Sequence, residues 1–179
     1  MQEKINNTDK WEIFRPFFKK VKIPARTTLL QEGKISKTMY FIEKGCLRTW
    51  INSDGKEITT QFFFEGESVS SIESFRTGLP SLYSIDTIEP CILLTLSQKD
   101  FWEMVESSSE LKKQFEEHLF KRLFHTQQLF FSYLKNSPQQ RYEDLITKYP
   151  HIVQRVPQHY IASYLGVTAV SLSRIRNRK

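Results

Sequence analysis

The hydrophobic residues follow two different periods along the chain, and the change between them separates stranded from helical parts. From about residue 21 to 96, short segments rich in β-branched and aromatic residues alternate with turn residues. Gly33, Gly45 and Gly66 interrupt the run, and Asn52–Ser53–Asp54–Gly55 has the composition of a hairpin turn. The predicted strands are RTTLLQ, TMYFIE, GCLRTWI, KEITTQFFF, YSIDTIE and CILLTL. Many short strands with frequent corners predict a closed β-roll.

Helical spacing appears on both sides of this stranded region. Before it, Thr8 is a predicted cap, with Trp11 and Phe14 on one face of a short helix. After it, the Ser97–Asp100 segment resembles a capping box that opens a second short helix. A similar signal opens a long helix, predicted over about residues 107–134.

Two apolar stripes run along the long helix. A helix that lies on a single roll needs one stripe, so the second predicts another contact surface. The first stripe is Leu111, Phe115 and Leu119; the second is Phe120, Leu123, Phe124, Phe130, Phe131 and Leu134. We expect the first stripe to meet the same helix of a second protomer in a homodimer. The alternative is that residues 135–179 cover the extra surface.

The remaining segment predicts three helices. Ser137 and Pro138 open an amphipathic helix over 139–149, and residues 151–156 are predicted to link it to the terminal pair. The terminal pair has Gly166 at its corner, where a left-handed cap ends the first helix. Its buried residues are predicted to be Ile161, Ala162, Leu165, Val167, Leu172 and Ile175.

The outer face of the last helix is short, polar and cationic, as a helix needs to be if it enters a DNA major groove. Arg174 has the reach to pair with guanine, whereas Ala169 and Val170 can contact only a thymine methyl group or fill space. The predicted DNA-binding set is Thr168, Ala169, Val170, Ser171, Ser173, Arg174, Arg176, Arg178 and Lys179. The alternative is an amphipathic helical hairpin that closes a core.

The distribution of charge favours DNA. Residues 135–179 contain eight Lys and Arg and two acidic residues, so they carry a net charge of +6. The whole chain is also +6, so residues 1–134 are neutral. A neutral body with one basic end is typical of a protein in which one part meets a polyanion.

Several classes of protein are disfavoured by composition. No apolar run approaches the ~20 residues of a membrane span, and the N-terminus lacks a signal-peptide core, so we expect a cytoplasmic protein with no membrane partner. Cys46 and Cys91 are too few for a disulfide framework or an iron–sulfur cluster. The four histidines form no HExxH motif, and nucleophile elbows and phosphate loops are missing, so we expect no catalytic site, metal or cofactor.

The order of short helix, many-stranded roll, long helix and helix–turn–helix resembles the Crp/Fnr family of bacterial transcription regulators. The likeness lies in YFIEKGCLRTWINSDGKEITTQFFFEGE and IASYLGVTAVSLSRIR. It implies an α+β fold: an N-terminal β-roll of the cyclic-nucleotide-binding type (a double-stranded β-helix) with the dimerisation helix in 1–134, and a small all-α helix–turn–helix domain in 135–179. It also implies transcription control, with double-stranded DNA as partner and RNA polymerase as a further candidate.

The resemblance also reveals departures from the family pattern. Members that bind cyclic AMP hold the ribose with a glutamate and the phosphate with an arginine, and the matching positions here are Ser71 and Ser81. We therefore expect cyclic AMP binding in the usual mode to be lost, and the effector stays unknown. The predicted pocket comprises Ser70, Ser71, Arg76, Ser81 and Leu82. Arg76 is expected in the loop of the pocket, where a solvated surface arginine is the favoured alternative. The sequence ends at the recognition helix, so we expect no wing within these residues; a shortened chain and a naturally short member both stay open.

A second function stays open at this stage. The roll could sense a ligand and pass the signal through terminal helices that bind a protein partner instead of DNA. Binding to random duplex at low salt discriminates between the two, since a protein-binding hairpin has no need of phosphate contacts.

Overall fold

The computed structural model describes residues 15–177. The predicted N-terminal helix with Thr8, Trp11 and Phe14 lies outside the described residues, as do Arg178 and Lys179. A short 3-10 helix, Arg15–Phe17, opens the described part.

Two four-stranded antiparallel sheets form the roll. The strands are β1 Lys19–Ile23, β2 Thr28–Leu30, β3 Thr38–Lys44, β4 Leu47–Ser53, β5 Lys56–Phe63, β6 Ser68–Val69, β7 Ser84–Thr87 and β8 Cys91–Ser97. One sheet has the order β1-β8-β3-β6 and the other β2-β7-β4-β5. All six predicted strands are present. The sequence analysis missed β1, in which three lysines obscure the alternation, and β6, which has only two residues.

Two glycines shape the roll at corners. Asp54 and Gly55 both have positive φ, 51° and 78°, and they join β4 to β5 as a two-residue hairpin turn. Gly45, at φ 110°, lies before β4. A Cβ atom at Gly45 would overlap Cys91 Sγ and lie 3.0 Å from Cys91 Cα, so the close approach of these two segments requires glycine.

Seven α-helices lie in the described residues, the first between β6 and β7 and the other six after β8. They are α1 Ile72–Thr77, α2 Gln98–Ser107, α3 Ser109–Lys135, α4 Pro138–Lys148, α5 Pro150–Arg155, α6 Gln158–Tyr164 and α7 Ala169–Asn177. Two of them correct the sequence analysis. The region of α1 was predicted as a pocket loop, and the region of α5 as a linker. Both helices have six residues, too few for hydrophobic periodicity to identify.

The predicted caps form, except that α3 is capped by Ser108, one residue after Ser107, where the predicted helix begins. Ser97 accepts a hydrogen bond from the Asp100 N–H at 3.1 Å, and Ser108 accepts one from Leu111 at 3.3 Å. Ser137 and Gln140 form a reciprocal capping box at the start of α4. None of the helices between residues 15 and 177 combines the length and the apolar character needed to span a membrane.

The apolar core has three parts. Within the roll, Leu47, Phe63, Ile85 and their neighbours are buried. A second cluster packs α1 and α2 onto the first sheet. The third joins the outer face of the roll to the terminal helices; its buried residues are Cys46, Phe62, Phe64, Ile88, Leu145, Ile152, Val156, Ile161, Ala162, Tyr164, Leu165 and Leu172.

The two stripes of the long helix have different surroundings. Leu111 and Phe115 pack inside the protomer, where the Phe115 ring lies 5.1 Å from Phe101 and 5.6 Å from Trp102. The second stripe is exposed instead, from 51% for Leu123 to 68% for Leu134. Leu111 and Phe115, which we expected to meet the same helix of a second protomer, thus pack within their own chain. Spacing alone cannot tell which stripe faces the roll, and the dimer seam of the long helix stays a prediction.

Replacement of Gly45 tests the close approach to Cys91. We expect Gly45→Ala to lower the free energy of unfolding by about 2 kcal/mol or more, because backbone strain and overlap with Cys91 add. Gly33→Ala is the matched control, since Gly33 also has positive φ, 82°, but nothing lies within 4 Å of its added Cβ. Urea denaturation measures both. Equal losses in the two variants would contradict the close approach.

Candidate nucleic-acid interface and sensor roll

The corner between α6 and α7 has the geometry of a helix–turn–helix. Gly166 turns the chain at φ 68°, and the Val167 N–H donates to the Ala162 carbonyl at 2.9 Å. Arg141, on α4, holds the corner from behind by donating to the carbonyls of Leu165 at 2.8 Å and Asn136 at 2.7 Å. The turn is therefore anchored to the preceding helix.

The last helix, α7, is divided as predicted into a buried and an exposed side. Thr168 caps it and accepts a hydrogen bond from the Ser171 N–H at 3.1 Å. Leu172 is only 1% exposed, whereas Val170 is 61% exposed. Ser171 is half-buried. The other exposed residues of the predicted DNA-binding set are Thr168, Ala169, Ser173, Arg174 and Arg176.

The electrostatic character of this surface is uniform. No acidic residue follows Asp144 in the sequence. Among residues 15–177, no carboxylate lies within 4.0 Å of the guanidinium of Arg174 or Arg176. Both arginines therefore present their positive charge to solvent, as residues that contact phosphates or bases do.

Ion pairs attach the terminal helices to the roll. Arg155, at the end of α5, donates two hydrogen bonds to the Glu65 carboxylate, each 2.8 Å long, and also pairs with Glu89. Glu65 in turn accepts from the Gly45 N–H at 2.8 Å. These contacts lower the pKa of Glu65 to about 2, chiefly through Arg155, and raise the pKa of Arg155 above its ordinary value.

Helix α6 contacts β5 through its polar side. Ser163 Oγ donates to the Glu57 carbonyl at 2.7 Å and accepts from the Thr59 N–H at 2.9 Å. Nearby, the guanidinium of Arg48 lies 3.9 Å from the centre of the Tyr160 ring. Arg48 is 2% exposed and pairs with Glu57 and with Asp86, the latter at 3.1 Å. The terminal helices thus cover a buried charge of the roll.

The predicted pocket residues fall into two groups. Ser70, Ser71 and Ser81 are buried, at 0%, 2% and 2% exposure. Leu82 is 68% exposed, and Arg76 is exposed at the end of α1 with its guanidinium 4.4 Å from the Trp102 ring. The predicted loop around Arg76 is instead the helix α1, and Arg76 is an exposed arginine that lies against Trp102; its role in a ligand pocket stays a prediction.

Internal hydrogen bonds engage the buried serines. Ser70 Oγ donates to the Thr38 carbonyl at 3.1 Å and shares a 2.9 Å bond with Ser36 Oγ. Ser81 Oγ donates to the Tyr83 carbonyl at 2.7 Å. The Tyr83 hydroxyl donates to the Ser70 carbonyl at 3.0 Å, and burial raises the pKa of Tyr83. A tyrosine of the protein itself thus bonds to the segment on which Ser70 and Ser71 lie.

Sequence reasoning missed Arg48, Tyr83, Arg141 and Arg155. For Arg48 a signal was available, since a charged residue inside the apolar strand GCLRTWI needs a buried partner. The others lie in segments whose spacing gives no such hint. Among the described residues, no group of three His, Cys, Asp or Glu side chains is placed to hold a metal ion.

Comparison with known sequences gives two findings. Residues 20–108 match the family model of the cyclic nucleotide-binding domain. The chain is 24% identical over 106 residues to the cAMP-activated global transcriptional regulator CRP of Pasteurella multocida, which covers 59% of this chain and 51% of that protein. The regulator of the same name from Escherichia coli O157:H7 is 22% identical over 103 residues, 57% of this chain and 49% of that one. The chain therefore spans about half the length of the curated relatives it matches.

Solved structures share the fold over nearly the whole chain. FixK2 from Bradyrhizobium japonicum aligns with a TM-score of 0.76 and 13% identity, over 90% of this chain and 83% of FixK2. The c-di-GMP-responsive global regulator CLP of Xanthomonas campestris aligns with a TM-score of 0.70 and 17% identity, over 94% and 89%. The matched domain, the sequence relatives and the shared fold agree with the resemblance in the sequence. These findings assign residues 20–108 to the cyclic nucleotide-binding domain and support the resemblance of the chain to the Crp/Fnr family.

Proposed function

We propose that the protein is a homodimeric regulator of transcription that binds double-stranded DNA in a sequence-specific manner. Residues 135–179 are the DNA-binding part and residues 1–134 the sensor and dimerisation part. The observation that carries this proposal is the exposed outer face of α7, which bears Arg174 and Arg176 and no acid. The proposal places the protein in the cytoplasm, without an enzymatic activity, and makes RNA polymerase a further partner.

The chemistry of α7 suggests how bases are read. Arg174 can donate two parallel hydrogen bonds to guanine O6 and N7, which no other base pair offers in the same arrangement. Val170 is exposed and apolar, so it suits a thymine methyl group. Arg176, with Arg178 and Lys179, meets phosphates, which position the helix without selecting a sequence.

The exposed stripe of α3 supports the dimer. At about 100° per residue, its members lie within about 60° of Gln127 on the helix surface. This stripe comprises Phe120, Leu123, Phe124, Phe130, Phe131 and Leu134, each more than half exposed. Such a surface is the kind that a parallel helix pair buries, with one polar residue at the seam to fix the register. We propose that this stripe forms the seam and that Leu119 flanks it.

The roll is proposed not to bind cyclic AMP in the usual mode. Ser71 and Ser81 provide neither the carboxylate nor the guanidinium that a buried ribose and phosphate need. The Tyr83 hydroxyl, which donates to the Ser70 carbonyl, already occupies the space beside the segment of Ser70 and Ser71. The roll then serves as the platform on which α3 and the terminal helices are held.

Two arginine variants test the DNA proposal. We expect Arg174→Ala to relax the preference at one base pair by roughly 1–3 kcal/mol, whereas Arg176→Ala should weaken binding to all sequences and reduce the salt slope by about 1. Fluorescence anisotropy with duplexes selected from a random pool, at several salt concentrations, measures both. Lys99→Ala, on α2, is the control that should change neither. If Arg174→Ala leaves the sequence preference intact, α7 does not lie in the groove.

A glutamate in the exposed stripe tests the dimer. Leu123→Glu puts a charge into the seam, so we expect the dissociation constant of the dimer to rise at least tenfold. Gln128→Glu, an exposed position outside the stripe, introduces the same charge and should leave the dimer intact. Sedimentation equilibrium measures both. A wild-type chain that is monomeric at micromolar concentration would refute the seam.

Cyclic nucleotides test the proposal for the roll. We expect ~0.1 mM cyclic AMP or cyclic GMP to leave the melting temperature unchanged, because Ser71 and Ser81 supply no charged partner for the ligand. A micromolar site, by contrast, would be nearly saturated at that concentration and would stabilise the protein by about 2.7 kcal/mol. Differential scanning calorimetry gives the result. A saturable upward shift would mean that another group replaces the missing arginine.

A further inference from the structure

A cavity of about 520 Å³ lies where the roll, the long helix and the terminal helices meet. Its charged and imidazole side chains are His118, Lys121, Arg122 and His125 from α3, His151 from α5, and Glu65 and Glu67 from the roll. The volume falls in the range of small-molecule sites, which occur preferentially at interfaces between domains. The buried Ser70, Ser71 and Ser81 do not line this cavity.

One wall of the cavity is a chain of aromatic rings. The rings of His125 and Tyr149 lie 6.3 Å apart at 87°, and those of Tyr149 and His151 lie 6.3 Å apart at 85°. The His151 ring meets Phe64 edge to face, at 4.6 Å and 86°. These contacts fix the side chains against one another across three elements, so the wall is preformed.

Another part of the cavity lining carries positive charge. Arg122 is half-buried, with its guanidinium 4.9 Å from the Phe63 ring and one hydrogen bond of 3.2 Å to the Ser68 carbonyl. Within residues 15–177, no carboxylate comes within 4.0 Å of the charged groups of Arg122 or Lys121. A half-buried guanidinium with a single carbonyl acceptor has donors left for an anion.

Two carboxylates oppose these cations, and one of them is already neutralised. Glu65 pairs with Arg155, while Glu67 accepts the Phe64 N–H at 2.7 Å. The histidines apart, Lys121 and Arg122 against Glu67 leave the charged side chains of the cavity with one net positive charge. His118 and His125 are held near neutrality, since burial lowers the pKa of each, and a neutral imidazole still has one N–H to donate.

We propose that this cavity binds a small aromatic anion, a carboxylate or phosphate carried on a single ring. Lys121 and Arg122 pair with the anionic group, and the ring lies against the wall of Phe64, Tyr149 and His151. Such a ligand contacts the roll, α3 and the terminal helices together, so it stabilises their mutual packing. The inference does not rest on DNA binding, and the test below contains no DNA.

Histidine side-chain NMR on the full chain tests the site, with phenyl phosphate and benzoate as probes. We expect saturable shifts of the ring signals of His118, His125 and His151, complete by about 5 mM. His159, on α6, does not line the cavity and serves as the internal control. Tighter binding of one probe identifies the anionic group, and either result supports the site. Inorganic phosphate should bind at least tenfold more weakly than phenyl phosphate, since it lacks the ring.

Charge-removing variants complete the test. Lys121→Gln, at an exposed position that does not threaten folding, should weaken binding of the better probe about tenfold, as the loss of one charge-assisted hydrogen bond implies. Arg122→Gln should weaken it further. Lys113→Gln, on the same helix but outside the cavity, should have no effect. The proposal is overturned if His159 shifts as much as the other three histidines, or if Lys121→Gln binds as Lys113→Gln does.

Discussion

The placement of the terminal helices on the roll depends on Arg155. Its guanidinium joins Glu65 and Glu89, which belong to different strand connections of the roll, and Glu65 is itself bonded to the backbone of Gly45. Because Gly45 passes close to Cys91, one cation links the helices to the tightest corner of the roll. Partly exposed pairs of this kind are each worth about 1 kcal/mol or less, so the apolar cluster below them supplies most of the binding and the ion pairs fix the orientation.

Most of the architecture could be predicted from the sequence, because it rests on local signals. The alternation of strands, the Asp54–Gly55 turn and the caps at Ser97, Ser108 and Ser137 each depend on a few neighbouring residues. The errors arose where that logic fails. Helices α1 and α5 are shorter than two turns. Which stripe of α3 packs within the chain depends on how α2 packs, and spacing does not record that; the dimer seam itself stays a prediction.

The candidate sites were less predictable for a related reason. The outer face of α7 could be identified, since charge and amphipathic spacing coincide in one short segment. The cavity could not, because His118, His151 and Glu67 come from three distant segments. Tyr83 illustrates the same limit: its place in the sequence is that of an ordinary strand aromatic, and only the fold brings its hydroxyl to Ser70.

Helix α6 has a second effect through the strand it covers. β5 lies at the edge of its sheet, where unpaired backbone groups can recruit a strand from another molecule. Ser163 bonds both the Thr59 N–H and the Glu57 carbonyl, so one side chain satisfies the edge at that point. A regulator that released its terminal helices would therefore open a template for β-aggregation. The contact of Ser163 with β5 therefore also protects this sheet edge from pairing with another chain.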